Sequence, residues 1–314
     1  MRLCLCLLSV VLTAAMAGAQ DANTPDAAAE RRRSLERAAA ELSAGRRVEA
    51  ARLLRAAADR YESVQALVQL ARIQSGEGDA PGALDTLRQA RQLAPNSEEV
   101  LSAFAQVSLA ARAPLPAIGA LEPLTRICPT VAQYQYLLGV ALMQAGDLVA
   151  AVDALQHAER LEPDRVLTLV ALGLALNARK QYSDAEPRLR RSLELQPENI
   201  EAVAALAESQ EGIGSVEEAE SLARRVLASS AAHATANLVM GLVLMKQNRY
   251  AEARDALVNA VAADPSSARA HYQLSLAYAR LGDRTASERH LDLYRRRLRE
   301  MEERVHAVRN RTGL

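Results

Sequence analysis

Five prolines keep a fixed interval along this chain. Pro95, Pro129, Pro163, Pro197 and Pro265 are separated by 34 residues or a multiple of 34, and the missing member of the series falls at Ala231. A constant period of this length restricts the fold more than any other feature of the sequence. It marks a repeat architecture, in which each unit buries its apolar face against its neighbours rather than in one shared centre.

The same places recur inside each period. Leu138-Gly139, Leu142, Gly146-Asp147, Ala151, Leu155, Ala158 and Pro163 are matched by Leu172-Gly173, Leu176, Tyr182, Ala185, Leu189, Ser192 and Pro197. They return as Met240-Gly241, Leu244, Tyr250, Ala253, Leu257, Ala260 and Pro265. The period before Pro95 carries Leu70, Ala71, Gly78-Asp79, Ala83, Leu87 and Ala90, and the one before Pro129 is looser.

Each place has a physical meaning. Apolar residues three and four apart form a stripe on a helix. The small residue after the leucine allows two helices to approach closely, and the Ala that opens the second helix does so from the other side. A mid-period Gly ends the first helix in the left-handed conformation, and the Asp after it caps the second. Proline ends the pair, since it has no N–H and restricts the residue before it. Each period is therefore expected to be a helical hairpin, with first helices starting near Val64, Glu98, Ala132, Val166, Ile200, Ala234 and Ala268.

This grammar closely resembles the tetratricopeptide repeat, with Leu in place of many of the family's aromatics. The resemblance implies an all-α fold: an α-solenoid of about eight antiparallel helix pairs with a long C-terminal capping helix. The expected divisions are 1–19 signal peptide, 20–30 flexible lead-in, 31–63 atypical first pair, 64–283 repeat array and 284–314 capping helix. The first pair is slipped by one residue, with Gly45 and Ala50 standing where the period sets 44 and 49.

In the family, residues of each first helix that do not pack on the second helix line a concave groove. Carried onto this chain, those places hold Tyr136, Val140 and Met143, then Val170, Leu174 and Asn177, then Leu238, Leu242 and Met245, and finally Tyr272 and Leu276. Such an apolar, methionine-containing wall suits an apolar or amphipathic segment of a protein partner. The competing reading is that some of these residues belong to the core between repeats. The repeat from Ile200 breaks the stripe with Glu201, Ala204, Glu208 and Glu211, which reads either as a solvated face or as a docking point for a basic residue. The family's carboxylate-clamp places hold mostly Val, Ala, Leu and Gln here, so binding of that kind is not expected.

The first residues, MRLCLCLLSVVLTAAMAGAQ, carry Arg2, an apolar run and the small-x-small pattern Ala17-Gly18-Ala19. This is the layout of a secretory signal peptide, with cleavage expected after Ala19. Localisation would be periplasmic or secreted. The alternative is an inner-membrane anchor formed by an uncleaved signal. Cleavage would leave Cys128 as the sole cysteine, so no internal disulfide is expected.

Charge gives no pull toward nucleic acid, because 38 basic residues balance 38 acidic ones. The five histidines are scattered, no dinucleotide or phosphate loop follows a strand, and no nucleophile elbow occurs, so neither a cofactor nor an enzymatic activity is expected.

At the C-terminus, Leu291, Tyr294, Leu298, Met301, Val305 and Val308 follow a 3,4 spacing. That seam fits a cap over the last repeat, and the part beyond Leu298 could instead pair with another chain. The Arg295-Arg296-Arg297 run allows weak membrane contact. The expected function is a non-enzymatic protein-binding scaffold; the rival is a homo-oligomer assembled through this helix.

Overall fold

The computed structural model describes the backbone of residues 25–312 and the side chains of residues 25–306. The expected signal peptide therefore lies outside the described residues, as does the side chain of Val308. Sixteen α-helices and no strand occur among the described residues, which form eight antiparallel pairs.

The chain divides into two units, Met1–Ile127 and Cys128–Leu314. The first unit holds α1 (Pro25–Ser43), α2 (Arg47–Tyr61), α3 (Val64–Gly76), α4 (Ala80–Leu93), α5 (Glu98–Ala110) and α6 (Pro114–Ile127). The second holds α7 (Ala132–Ala145), α8 (Leu148–Leu161), α9 (Val166–Ala178), α10 (Tyr182–Leu195), α11 (Ile200–Ile213), α12 (Val216–Ser229), α13 (Ala234–Lys246), α14 (Tyr250–Ala263), α15 (Ala268–Leu281) and α16 (Arg284–Thr312). From α3 on, every odd-numbered helix begins at the residue the period sets.

Local chemistry explains the boundaries. The turn residue between the two helices of a pair has positive φ in all eight pairs: Gly45, Gly78, Arg112, Gly146, Lys180, Gly214, Asn248 and Gly282. Glycine accepts this conformation freely, whereas Arg112, Lys180 and Asn248 occupy it against their preference. The expectation of a Gly at this turn thus fails in three pairs without changing the turn. Packing of the flanking helices imposes the geometry.

The following Asp caps the second helix as expected. Asp79 accepts from Gly82 N at 2.9 Å, Asp147 from Ala150 N at 3.2 Å and Asp283 from Ala286 N at 3.0 Å. At the far end of the pair, Gln196 before Pro197 lies at φ −138, ψ 85. Ser230 adopts φ −143, ψ 86, although Ala231 replaces the proline. The proline reinforces this exit and is not needed for it.

Small residues set the spacing between helices. A β-carbon on Gly139 would stand 2.5 Å from Leu155 Cγ, and one on Gly241 would stand 2.5 Å from Leu257 Cγ. Both leucines are fully buried. In the first unit, Leu54, Leu87, Leu101, Leu121 and Leu124 fill the equivalent interior.

The lead-in expected to be flexible over 20–30 is helical from Pro25 onward, as the start of α1. Its alanine-rich sequence favours a helix, and α2 holds it there. Tyr61 Oη donates to Glu30 Oε2 at 2.7 Å, and Arg60 pairs with Glu30 at 3.0 Å.

The last helix is the outlier. α15 has 14 residues and its hairpin partner α16 has 29. The first half of α16 covers α15: Tyr294 packs on Tyr272 with ring centroids 5.1 Å apart, and Ser287 Oγ donates to Ser275 O at 2.9 Å. The second half continues and returns to the turn that ends α7, where Val305 and Met301 lie against Gly146. Tyr294, Met301 and Val305 of the C-terminal seam are thus engaged by this chain's own second unit.

Candidate functional site

The inner wall of the second unit is built by α7, α9, α11, α13 and α15. Its expected residues divide into accessible and sealed ones.

Val170, Leu238 and Leu242 are sealed, with 8, 8 and 7 % of their surface exposed. Leu238 and Leu242 pack with Leu257, Ala270 and Leu274 in one apolar cluster. These three are core residues between repeats, which corrects the expectation that they line an open groove. At these three positions the neighbouring first helices close over the side chain. Asn177 is also buried: its Nδ2 donates to Ala205 O at 2.7 Å, and its Oδ1 accepts from Ser209 Oγ at 2.8 Å. It joins α9 to α11.

The apolar residues that keep surface are spread along the wall and are most exposed at its α15 end. On α7, Tyr136, Val140 and Met143 are half-buried, and the Arg165 guanidinium lies 4.9 Å from the Tyr136 ring centroid. On α15, Tyr272 and Leu276 keep 38 and 37 % of their surface. Leu174 on α9 and Met245 on α13 are half-buried too, and Tyr136, Met143, Leu174 and Met245 all lean on apolar clusters.

Between these ends the wall is ionic. Neither reading of the Ile200 repeat is correct for Glu208 and Glu211, because both are drawn into an internal charge cluster. Arg269 on α15 reaches back two repeats to α11: its Nη1 pairs with Glu208 Oε1, and its Nη2 lies 3.1 Å from Glu211 Oε2. Lys246 on α13 meets Glu211 Oε1 at 2.7 Å and donates to Glu211 O at 3.0 Å. Two carboxylates thus face two cations. Burial pushes the Glu208 carboxyl above the usual carboxylate range, and Arg269 opposes that rise. Burial likewise raises the Tyr182 phenol beside this cluster. Of the other polar neighbours, Asn199 caps α11, and Gln210 donates to Glu186 at 2.9 Å. Glu201 stays exposed, with His233 Nε2 3.3 Å away.

Glu208 and Glu211 stand out in the sequence, but nothing there joins them to Arg269. Their places on the first helices, with Arg269 at the second place and the glutamates at the ninth and twelfth, put them on one wall; only the curvature of the stack brings them into contact.

Two histidines that look scattered in the sequence also meet. His271 Nδ1 lies 3.0 Å from His290 Nδ1, and His271 Nε2 lies 3.2 Å from Pro265 O. A carbonyl oxygen only accepts, so His271 carries its proton on Nε2 and offers Nδ1 as acceptor to His290 Nδ1–H. Tyr278 stacks on His290 with centroids 5.7 Å apart. Burial, with help from His271 and Arg289, holds His290 below the usual imidazole range.

Among the described residues no group of three or more His, Cys, Asp or Glu is placed to hold a metal. No described helix is long and apolar enough to cross a membrane.

Four family models match the chain. Three are described as tetratricopeptide repeat, over residues 65–97, 105–165 and 176–241, and one as TPR repeat over 241–282. No curated protein matches. Among solved structures, a tetratricopeptide repeat protein from Parabacteroides merdae matches with a TM-score of 0.61 at 16 % identity, covering 79 % of this chain and 98 % of that one. A chain of the APC/C Cut9–Hcn1 hetero-tetramer gives 0.57 at 18 % identity, covering 76 % of this chain and 48 % of that one. The human IFIT1 dimer with PPP-AAAA gives 0.54 at 17 % identity, covering 82 and 65 %. This chain therefore spans about half to two thirds of the latter two. At these identities the likeness is one of fold alone.

Proposed function

We propose that this chain, which belongs to the tetratricopeptide-repeat family, holds an apolar or amphipathic segment of a protein partner on the inner wall of its second unit. Members of this family are protein–protein interaction scaffolds, and the repeats along this chain support the same role for it. The observation that carries the finer reading is the set of wall residues that keep apolar surface. Tyr136, Val140 and Met143 lie at one end, and Tyr272 and Leu276 lie at the other. Exposed apolar residues grouped on one wall favour a helix or strip of matching spacing.

The ionic middle argues against an anionic ligand there. Arg269 and Lys246, the cations of that stretch, are already paired with Glu208 and Glu211. The IFIT1 structure contains PPP-AAAA; a comparable phosphate ligand at this stretch would have to break those pairs. No enzymatic step is assigned to the chain. The N-terminal segment up to Ala19 supports an exported protein, acting in the periplasm after cleavage or held at the inner membrane without it.

The test uses Met143→Glu with Leu276→Glu, two places with exposed surface. Leu242 is unsuitable because it is buried and its replacement would damage the core. Capture from an envelope fraction by the wild type, lost in the double variant at unchanged helical content, supports the reading. Equal capture by the two proteins overturns it. The rival, self-assembly through the C-terminal helix, requires that truncation after Leu298 abolish an oligomer seen for the full chain.

A further inference from the structure

The far end of the last helix lies against the turn that ends α7. α16 outlasts α15 by about half its length, which at about 1.5 Å per residue is some 20 Å of helix beyond the hairpin. A helical segment of that length is marginal by itself in water. It reaches α7, where a β-carbon on Gly146 would stand 3.0 Å from Val305 Cγ2 and 3.7 Å from Met301 Cγ.

The seating is slight. Met301 keeps 40 % of its surface, and Glu302, Glu303 and Arg304 are exposed. Arg297 Nε is buried without a hydrogen-bond partner, while Nη1 of the same side chain pairs with Glu300 Oε2 at 2.8 Å. An unpaired buried donor weakens the arrangement that creates it. α16 thus touches α15 firmly, through Tyr294 at Tyr272, and the C-terminal end of α7 weakly, through Val305 at the Gly146 turn.

We propose that the distal half of α16, Leu298 to His306, is an intramolecular stand-in for the partner: it occupies the α7 end of the inner wall, and an amphipathic helix with the same 3,4 apolar spacing displaces it. The proposal rests on the binding reading above and adds what the site prefers and what guards it. Two features identify the occupant as a helix of this spacing. Met301 and Val305 are one helical turn apart and face the same glycine, and Tyr136, Val140 and Met143 repeat at matching intervals on α7. A partner that binds must compete with a tethered segment, so the affinity measured from solution is reduced by the fraction of chains in which that segment is seated.

The experiment uses the full chain and its Met301→Glu/Val305→Glu variant. The probe is a labelled synthetic peptide of residues 294–312, with the same double substitution in the peptide as control. Hydrogen exchange reports whether the distal amides of α16 are protected. The expected result is protection in the wild type, free exchange in the variant, and at least tenfold tighter binding of the wild-type peptide to the variant chain. The control peptide should bind to neither chain. Distal amides that exchange equally in both chains would overturn the proposal, since the segment would not be seated. Released amides without tighter peptide binding would overturn it too, because the vacated place would not be a helix site. A wild-type dimer that the variant dissolves would assign the helix to a second copy and overturn it as well. No natural partner enters this assay, so failure of the binding reading shows separately, in the capture experiment.

Discussion

Gly173 on α9 lies so close beneath Leu189 on α10 that a β-carbon there would stand 2.5 Å from Leu189 Cδ2 and 2.6 Å from Leu189 Cγ. Leu189 is fully buried and has no free side on which to retreat. Gly139 with Leu155 and Gly241 with Leu257 repeat the contact one period earlier and two periods later. This approach sets how tightly these three hairpins close.

Gly173→Ala should therefore destabilise the chain although alanine is the better helix former. Overpacking of a filled interior costs about 1–3 kcal/mol, against a propensity gain of about 1 kcal/mol. Urea denaturation checks the sign, and Leu189→Ala in the same chain should recover part of the overpacking loss. A more stable single variant would show that the hairpin opens freely.

The turn residues predict the opposite sign for a glycine introduced elsewhere. Lys180 is held at φ 61. Lys180→Gly should raise stability by about 0.5–1 kcal/mol, because a left-handed non-glycine residue costs about 1–2 kcal/mol and glycine returns part of that as unfolded-state entropy. Gly214→Ala is the companion change. Its φ is 103 and no atom lies within 4 Å of the added carbon, so any loss there comes from the backbone alone. Paired thermal melts decide both.

Removing Arg269 should be costly. Arg269→Ala leaves Glu208 buried without its cation and Glu211 with Lys246 only. Loss of one partner of a buried pair costs about 3 kcal/mol or more. Adding Glu208→Gln to that variant should recover much of the loss, since a neutral amide needs no counter-charge. A double-mutant cycle with no coupling would show that Arg269 and Glu208 do not interact in solution.

His290 makes stability depend on pH. Its folded pKa lies below the unfolded value of about 6.5. In the interval between the two, the unfolded chain binds more protons, so folding weakens as pH falls from about 6.5 through the folded value. The groups facing it are His271, Tyr278 and Arg289. Glu208, with a raised carboxyl, contributes the opposite slope, gaining stability as pH falls through its folded value toward 4.5. His290→Gln should flatten the loss at mildly acidic pH and leave the Glu208 contribution in place. Urea midpoints at pH 7.5 and 5.5, compared between the two proteins, measure the difference.

Hairpin limits, caps and the close glycines were legible in the sequence because each depends on residues within one period. Backbone angles, a cap three residues away and a glycine beneath a leucine sixteen places on are short-range matters, and a 34-residue pattern records them directly. The fate of the inner wall was not recorded in this way. Val170, Leu238 and Leu242 look the same in the sequence as Tyr272 and Leu276, yet the first three are sealed and the last two are open. Arg269 meets glutamates 58 and 61 residues earlier, and Val305 returns to Gly146. Such meetings depend on a small angle added at every hairpin. The repeat by itself determined how each hairpin is made; only the packing of the second unit's hairpins on one another in three dimensions decided which of its inner residues touch and which keep exposed surface.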